Sequence, residues 1–562
     1  MRTFQKVGIT VSVMWPRNLF FCLLCSAGVS WLGFSLLKED GLTPPISFDP
    51  TRYARPEYQT SRQQLNAGFR DQWAAADVRP AKAGDELLVA RRLALALMGT
   101  IPSLEEIRGL QELPASHQID WWLSRILEDR RYADYVAERF ARAFVGTQNG
   151  PFLIYRRRRF VSWLSDQLYE NRPYDEIVRA LVSDGGLWTD SPAVNFVTVT
   201  LDENDDGKPD PIRLAARTSR AFLGMRIDCL QCHDDNLGTI QLGSDGELRG
   251  GLQSDFHQLA AFYSEAESSL FGIIDGDDPY KYKYLGADEE EEIEPTPPFF
   301  PELVGTDGPR RKQLADWLTH RNNKQFARAI VNRTWALLFG RPLVEPVDDI
   351  PLDVTELPPA LELLTADFIA HDYDLRRLIR LIAGLEVFRL ESRADFEVTE
   401  KHEAEWAVFP LSRLRPEQTA GALIQSASVK TIDATSHIIF QLQRYNQQDE
   451  FITRYGDTGE DEFESRAGTI AQRLLMMNGE LVKKRTDVDL MSNAATRIGT
   501  LAPTDERAVE LAYLTVLSRQ PSAAESGHFV ELLADSKGDV RSQHMEDIFW
   551  VLVNCTEFGW NH

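Results

Sequence analysis

Residues 85–99, DELLVARRLALALMG, decide what kind of fold this is. Leucine, valine, alanine and methionine recur at helical spacing and cover most of the circumference, so Leu87 to Met98 reads as a helix buried on several sides. The helix is expected to start near Asp85, and Gly99 supplies the C-terminal stop. Directly after it, Ser103 and Glu106 are spaced as a capping box that opens a second helix. The segments His117 to Val145 and Phe160 to Val182 continue in the same manner, with aromatic residues at helical spacings that read as core.

Further along, Ile212 to Met225 reads as a helix, followed by a short one around His257 to Tyr263. Arg311 to Gly340, Leu361 to Leu390, Leu414 to Ala427, Arg466 to Leu481 and two segments within Asp505 to Phe558 are also predicted helical. Strand-like alternation is confined to Asn195–Leu201 and Ile432–Arg444. The expected fold is therefore mostly α and multi-helical, with two helical domains after an N-terminal membrane segment. Residues 81–285 form the first domain and 303–562 the second. Residues 286–302, GADEEEEIEPTPPFFPE, are read as a linker, because clustered like charge followed by four prolines is poorly suited to packing. Residues 41–80, rich in Pro, Tyr, Arg and Gln, are read as a stalk.

Residues 1–40 carry the export information. Arg2, Lys6 and Arg17 precede an uncharged run from Asn18 to Leu37, which Lys38-Glu39-Asp40 closes. A run of that length can span a bilayer, and the cationic flank is expected to stay inside. The expectation is a single-pass signal anchor with the remainder periplasmic. Cys22 and Cys25 lie within the run and read as small apolar residues. The chain carries a net charge of −24, which argues against a nucleic-acid partner and suits an exported protein.

The chemistry concentrates in residues 219–236, SRAFLGMRIDCLQCHDDN. Cys229, Cys232 and His233 form C-x-x-C-H, in which two thiols can each bond a vinyl group of haem while the adjacent imidazole ligates iron. A disulfide, or a zinc site with one further ligand, uses the same residues. Zinc is disfavoured because the only other cysteine beyond the N-terminal run is Cys555. Candidates for a sixth iron ligand are Met225, His257, Met476 and Met477, with His257 preferred as distal ligand. Upstream, Asp202, Asn204, Asp206 and Asp210 match oxygen-ligand positions of a calcium loop around Gly207, although Arg213 replaces the usual closing Glu. The run Arg156 to Arg159 reads as a solvated face or as a partner for haem propionates. Signatures G-x-S-x-G, H-E-x-x-H and the Gly-rich nucleotide loops are absent, which leaves redox chemistry as the reaction class with a named site.

Several stretches together resemble the planctomycete cytochrome-c-like proteins built from two paired domains of unknown function. In the first half these are RRLALALMGTIPSLEEI, RRYADYVAERFARAF, NRPYDEIVRALVSDGG and RTSRAFLGMRIDCLQCHDD. In the second they are RKQLADWLTHRNNKQFARAIVNRTWALLFGRPLVEPVDDI, HDYDLRRLIRLIAGLEVFRL, PLSRLRPEQTAGALIQ, QRLLMMNGELV and VNCTEFGWNH. The resemblance implies an exported protein with haem c at the C-x-x-C-H. Relatives often continue with Asp-His-Pro, whereas here Asp234 is followed by Asp235 and Asn236. The resulting expectation is a membrane-anchored c-type haem protein working in electron transfer or haem-dependent redox chemistry, with an unidentified redox or envelope partner. The rival is a non-haem interaction module of the envelope in which Cys229 and Cys232 form a disulfide.

Overall fold

The first buried helix starts beside Asp85, whose carboxylate caps it by accepting from the Leu87 and Leu88 amides. The helix runs Glu86–Met98 and stops at Gly99, which adopts the left-handed conformation at φ 62°. A Cβ at Gly99 would meet the Tyr135 ring at 2.4 Å, so the stop also serves a close packing contact. The computed structural model describes residues 51–147, 157–201, 208–243, 248–284, 288–433, 450–456, 468–479, 481–483 and 493–562, with a few single residues outside those stretches. Of the described residues, 61% are helical and 5% are in strands. Among them the strands make only two-stranded ribbons.

Two nearly all-buried helices form the centre. Glu86–Met98 packs against Ala115–Glu128 and Arg130–Val145 on one side and against Lys324–Phe339 on the other. Every residue from Gln325 to Phe339 is buried. Among its polar members, Asn332 accepts from the Leu343 and Val344 amides and donates to the Val344 carbonyl. Helices from both halves of the chain thus share one hydrophobic core.

Charges join the halves as well. Arg139 and Glu417, both almost wholly buried, pair at 2.8 Å, and Arg415 joins the same carboxylate at 3.0 Å while donating to the Tyr135 hydroxyl at 2.6 Å. Burial alone would push the Glu417 carboxyl up, but Arg139 and Arg415 outweigh it and hold it below the usual range.

Three sequence expectations are corrected. The stretch read as a stalk contains helices Thr51–Ala54 and Pro56–Ala76. Tyr58, Leu65, Phe69 and Trp73 recur at intervals of seven and four and bury one narrow stripe against the second half of the chain. The Phe69 ring stacks on Trp335 at 5.9 Å, and Tyr58 donates to the Arg380 carbonyl. The described part of residues 286–302 packs. Ile293 and Phe299 are buried, Phe299 lies 5.0 Å from Trp317, and the Ile293 and Thr296 amides bond the Tyr280 and Gln258 carbonyls. With Pro297 and Pro298 also buried, these apolar anchors pin a segment whose charges all face solvent. Asn195–Leu201, read as a strand, instead opens with the helical turn Asn195–Thr198 and is buried throughout, so tertiary packing overrides the preference of its β-branched residues. Ile432–Arg444 lies almost entirely outside the described residues.

Candidate functional site

The approach to Cys229 begins at Asp210, whose carboxylate accepts from the Ile212 and Arg213 amides and caps the helix Pro211–Thr218. The helix widens into a π turn over Ser219–Leu223 and ends at Gly224 in the left-handed conformation. There the Ile350 side chain stands 3.0 Å and the Ala329 methyl 3.3 Å from where a Cβ would sit, and the Ile350 amide bonds the Gly224 carbonyl at 2.7 Å. Arg226 pairs with Asp348, and Arg220 with Asp228. The second half of the chain thereby fixes where the motif leaves the core.

The motif itself is a 3₁₀ turn, Asp228–Gln231, with the Cys232 amide donating to the Cys229 carbonyl. Its residues divide by face. Leu230 is fully buried and packs so closely on Gly251 that a Cβ there would meet it at 2.7 Å. The Gln231 carbonyl also points inward, accepting from Gln253 Nε2 and His257 Nε2 at 3.0 Å each and from the Tyr282 hydroxyl at 3.4 Å. Cys229, Cys232 and His233 face outward, exposed, with the two thiols unbonded.

His233 Nδ1 lies 2.8 Å from the Asp234 carbonyl. A carbonyl only accepts, so Nδ1 carries the proton and Nε2 keeps its lone pair. Asp234 in turn accepts from the Gln253 amide at 2.7 Å. Asp235 accepts with its carboxylate from the Ile240, Leu237 and Gly238 amides. These bonds, that of Ile240 first, hold its carboxyl below the usual range. It closes a loop. Partial burial, with Asp235 and Asp228 adding to it, pushes the Cys229 thiol up, so it is protonated at neutral pH.

His257 lies beneath the motif, fully buried. Its Nε2–H donates to the Gln231 carbonyl, its Nδ1 accepts from the Tyr280 hydroxyl at 2.9 Å, and its ring stacks on Tyr282 at 3.5 Å between centroids. Burial pushes its pKa down. Both nitrogens are thus committed, and a distal-ligand role would require breaking both bonds. In this geometry His257 is a support for the loop. Met225 and Met476 are buried, and Met477 is partly exposed.

Among the described residues, no group of three or more His, Cys, Asp or Glu side chains comes together that could hold a metal ion. Of the calcium candidates, Asp202, Asn204 and Asp206 lie outside the described residues, and Asp210 is the helix cap above. Of the arginine run, Arg157 forms a two-bond pair with Glu138, both at 2.8 Å, and Arg156 is outside the described residues. The uncharged run of residues 18–37 also lies mostly outside them, and no helix among the described residues is long and apolar enough to cross a membrane.

Sequence reading missed Gln231, Gln253, Gly251, Tyr280 and Tyr282. One signal was available: Tyr280, Tyr282 and Tyr284 alternate with lysines, the period of a strand presenting one aromatic face.

Residues 64–267 match PSCyt2, a protein of unknown function (DUF1549), and residues 310–533 match PSD1, a protein of unknown function (DUF1553). The chain carries both domains, and the motif lies within the first. No curated protein matches the chain, and no solved structure does.

Proposed function

We propose that this chain is an exported, membrane-anchored c-type haem protein, bonded to the porphyrin through Cys229 and Cys232 and ligating its iron through His233 Nε2. The observation that carries the reading is the division of the motif by face. Leu230 and the Gln231 carbonyl hold the loop from inside, while both thiols and an imidazole with a free Nε2 lone pair stand outside. The bond from His233 Nδ1–H to a backbone carbonyl is the support that iron-ligating histidines use to fix ring orientation and raise basicity.

Cys229 and Cys232 would each hold the haem by adding S–H across a vinyl group, sulfur to one carbon and hydrogen to the other, with no electron gained or lost. When bound, the haem supplies one-electron chemistry at iron. This chain's residues orient the imidazole, keep the motif rigid and leave its outer face accessible. Export is supported by the uncharged run Asn18–Leu37 with its cationic flank, and covalent haem attachment in bacteria belongs to that side of the membrane. The partner is expected to be a redox protein of the envelope.

The test is haem staining of the denatured chain after production in a host with a working haem-attachment system. Colour that stays with the polypeptide is expected, and Cys229→Ala with Cys232→Ala should abolish it. Colourless protein would overturn the reading. Thiol titration would then separate a Cys229–Cys232 disulfide from two free thiols.

A further inference from the structure

Among the described residues, two of the large apolar side chains most open to solvent stand side by side at the tip of one hairpin. Strands Ala266–Ser269 and Gly272–Asp275 pair antiparallel with Ser269 opposite Gly272, leaving Leu270 and Phe271 as the two turn residues. They are 93% and 80% exposed, and Ile274 beside them is 43% exposed. A two-residue hairpin turn ordinarily takes Asn, Asp or Gly, so Leu-Phe here meets no demand of the turn.

The tip is rigid. Ile273 is buried and exchanges both backbone hydrogen bonds with Gly186, at 2.7 and 3.0 Å. Gly272, at φ +92°, lies so close to Gly186 that a Cβ would overlap its carbonyl. At the base, Asp275 pairs with Arg311 and Glu265 with Arg310.

We infer that the Leu270–Phe271 tip inserts into the interfacial layer of a lipid bilayer, giving the domain a second contact with the membrane. Three observations favour lipid over a protein pocket. From Ser268 to Ile274 the chain carries no charge, and the first charges, Glu267 and Asp275, lie three or four residues back on each strand. Three residues at about 3.3 Å each place the tip roughly 10 Å beyond them, the depth to which interfacial segments bury. Two main-chain groups of the tip are satisfied locally: Ser269 Oγ accepts from the Phe271 amide at 3.1 Å and donates to the Gly272 carbonyl at 2.9 Å. Each group bonded within the tip is one fewer to desolvate in an apolar medium. The inference rests on the anchoring half of the proposed function, which would hold the tip at high local concentration near lipid.

The experiment uses the full chain in phosphatidylcholine vesicles, with a photo-crosslinking amino acid replacing Phe271 and, separately, the exposed Lys537. Vesicle flotation reports the anchor, and lipid adducts report the tip. Several-fold more lipid adduct at 271 than at 537 is expected. An equal mixture with phosphatidylglycerol should not raise the yield, because Glu267 and Asp275 flank the tip. Placing the crosslinker at Ile274 in a Leu270→Ser, Phe271→Ser background should return the yield to that at 537. Flotation without excess adduct at 271 overturns the tip and leaves the anchor standing. A protein adduct in place of lipid, or a several-fold rise with anionic lipid, overturns it as well. Failure to float overturns both.

Discussion

The seam between the two halves and the motif loop are held in opposite ways. At the seam, long side chains do the holding: Phe69 against Trp335, Arg139 and Arg415 on Glu417, and two helices buried around their whole circumference. At the motif, the backbone does it, through the Gln231 carbonyl, the Asp234 carbonyl and the amides gathered by Asp235, while the side chains that carry chemistry touch little. Stability and chemistry therefore reside in different atoms. Substitutions at the seam should unfold the protein and leave the chemistry of survivors intact, whereas substitutions of the outward motif residues should do the reverse.

The sharpest way to break this contrast is Glu417→Ala. Removing the carboxylate leaves the buried guanidiniums of Arg139 and Arg415 without their shared counter-charge, which should cost about 3–5 kcal/mol. Denaturant unfolding should show one transition shifted to lower midpoint, because both halves share the core. Two separated transitions would mean that the halves fold independently. Phe69→Ala asks the same question of the N-terminal helix and should cost roughly 3 kcal/mol or more. A stalk would lose nothing measurable.

That helix also shows where the sequence was legible and where it was not. The Gly99 stop, the Ser103–Glu106 box and the Gly340 stop were all readable, because capping depends on one residue and its neighbours in sequence. Pro56–Ala76 was not, since four apolar residues in a polar stretch signal a stripe only once the surface that covers it is known. At the site, the order of Cys, Cys and His was legible as chemistry. The use of a backbone carbonyl, Gln231 O, as the anchor was not, because a main-chain atom leaves no trace in residue identity. His257, a distal-ligand candidate by sequence, has both ring nitrogens hydrogen-bonded within the fold. A histidine's role is set by what its nitrogens face, and here they face a carbonyl and a phenol.

His257→Gln sharpens the comparison within the motif's support. Losing the ring removes a stack and one donor to the Gln231 carbonyl, at an expected cost of about 1–3 kcal/mol. The pH dependence carries the diagnostic. Burial lowers the folded-state pKa of His257, so below about pH 6.5 the unfolded chain binds the proton more readily than the folded one. Native stability should fall as pH drops from 6.5 toward 5. The Gln variant, with nothing to protonate there, should show a shallower fall over the same window. Parallel slopes would mean that His257 is protonated equally in both states, and the neutral Nε2–H donor to Gln231 would be wrong.

The smallest expected effect is the most telling for the outward face. Cys229→Ser replaces an exposed, unbonded thiol whose hydroxyl counterpart can be solvated in place, so unfolding free energy in the haem-free chain should move by no more than about 0.5 kcal/mol. A loss of a few kcal/mol would mean that Cys229 carries part of the fold, as one arm of a disulfide would. The same variant in haem-loading cells should lose one of two covalent bonds while its haem-free stability stays unchanged. Chemistry altered without a change in folding is the behaviour that separates an outward reactive face from the inward face that Leu230 and Gln231 supply.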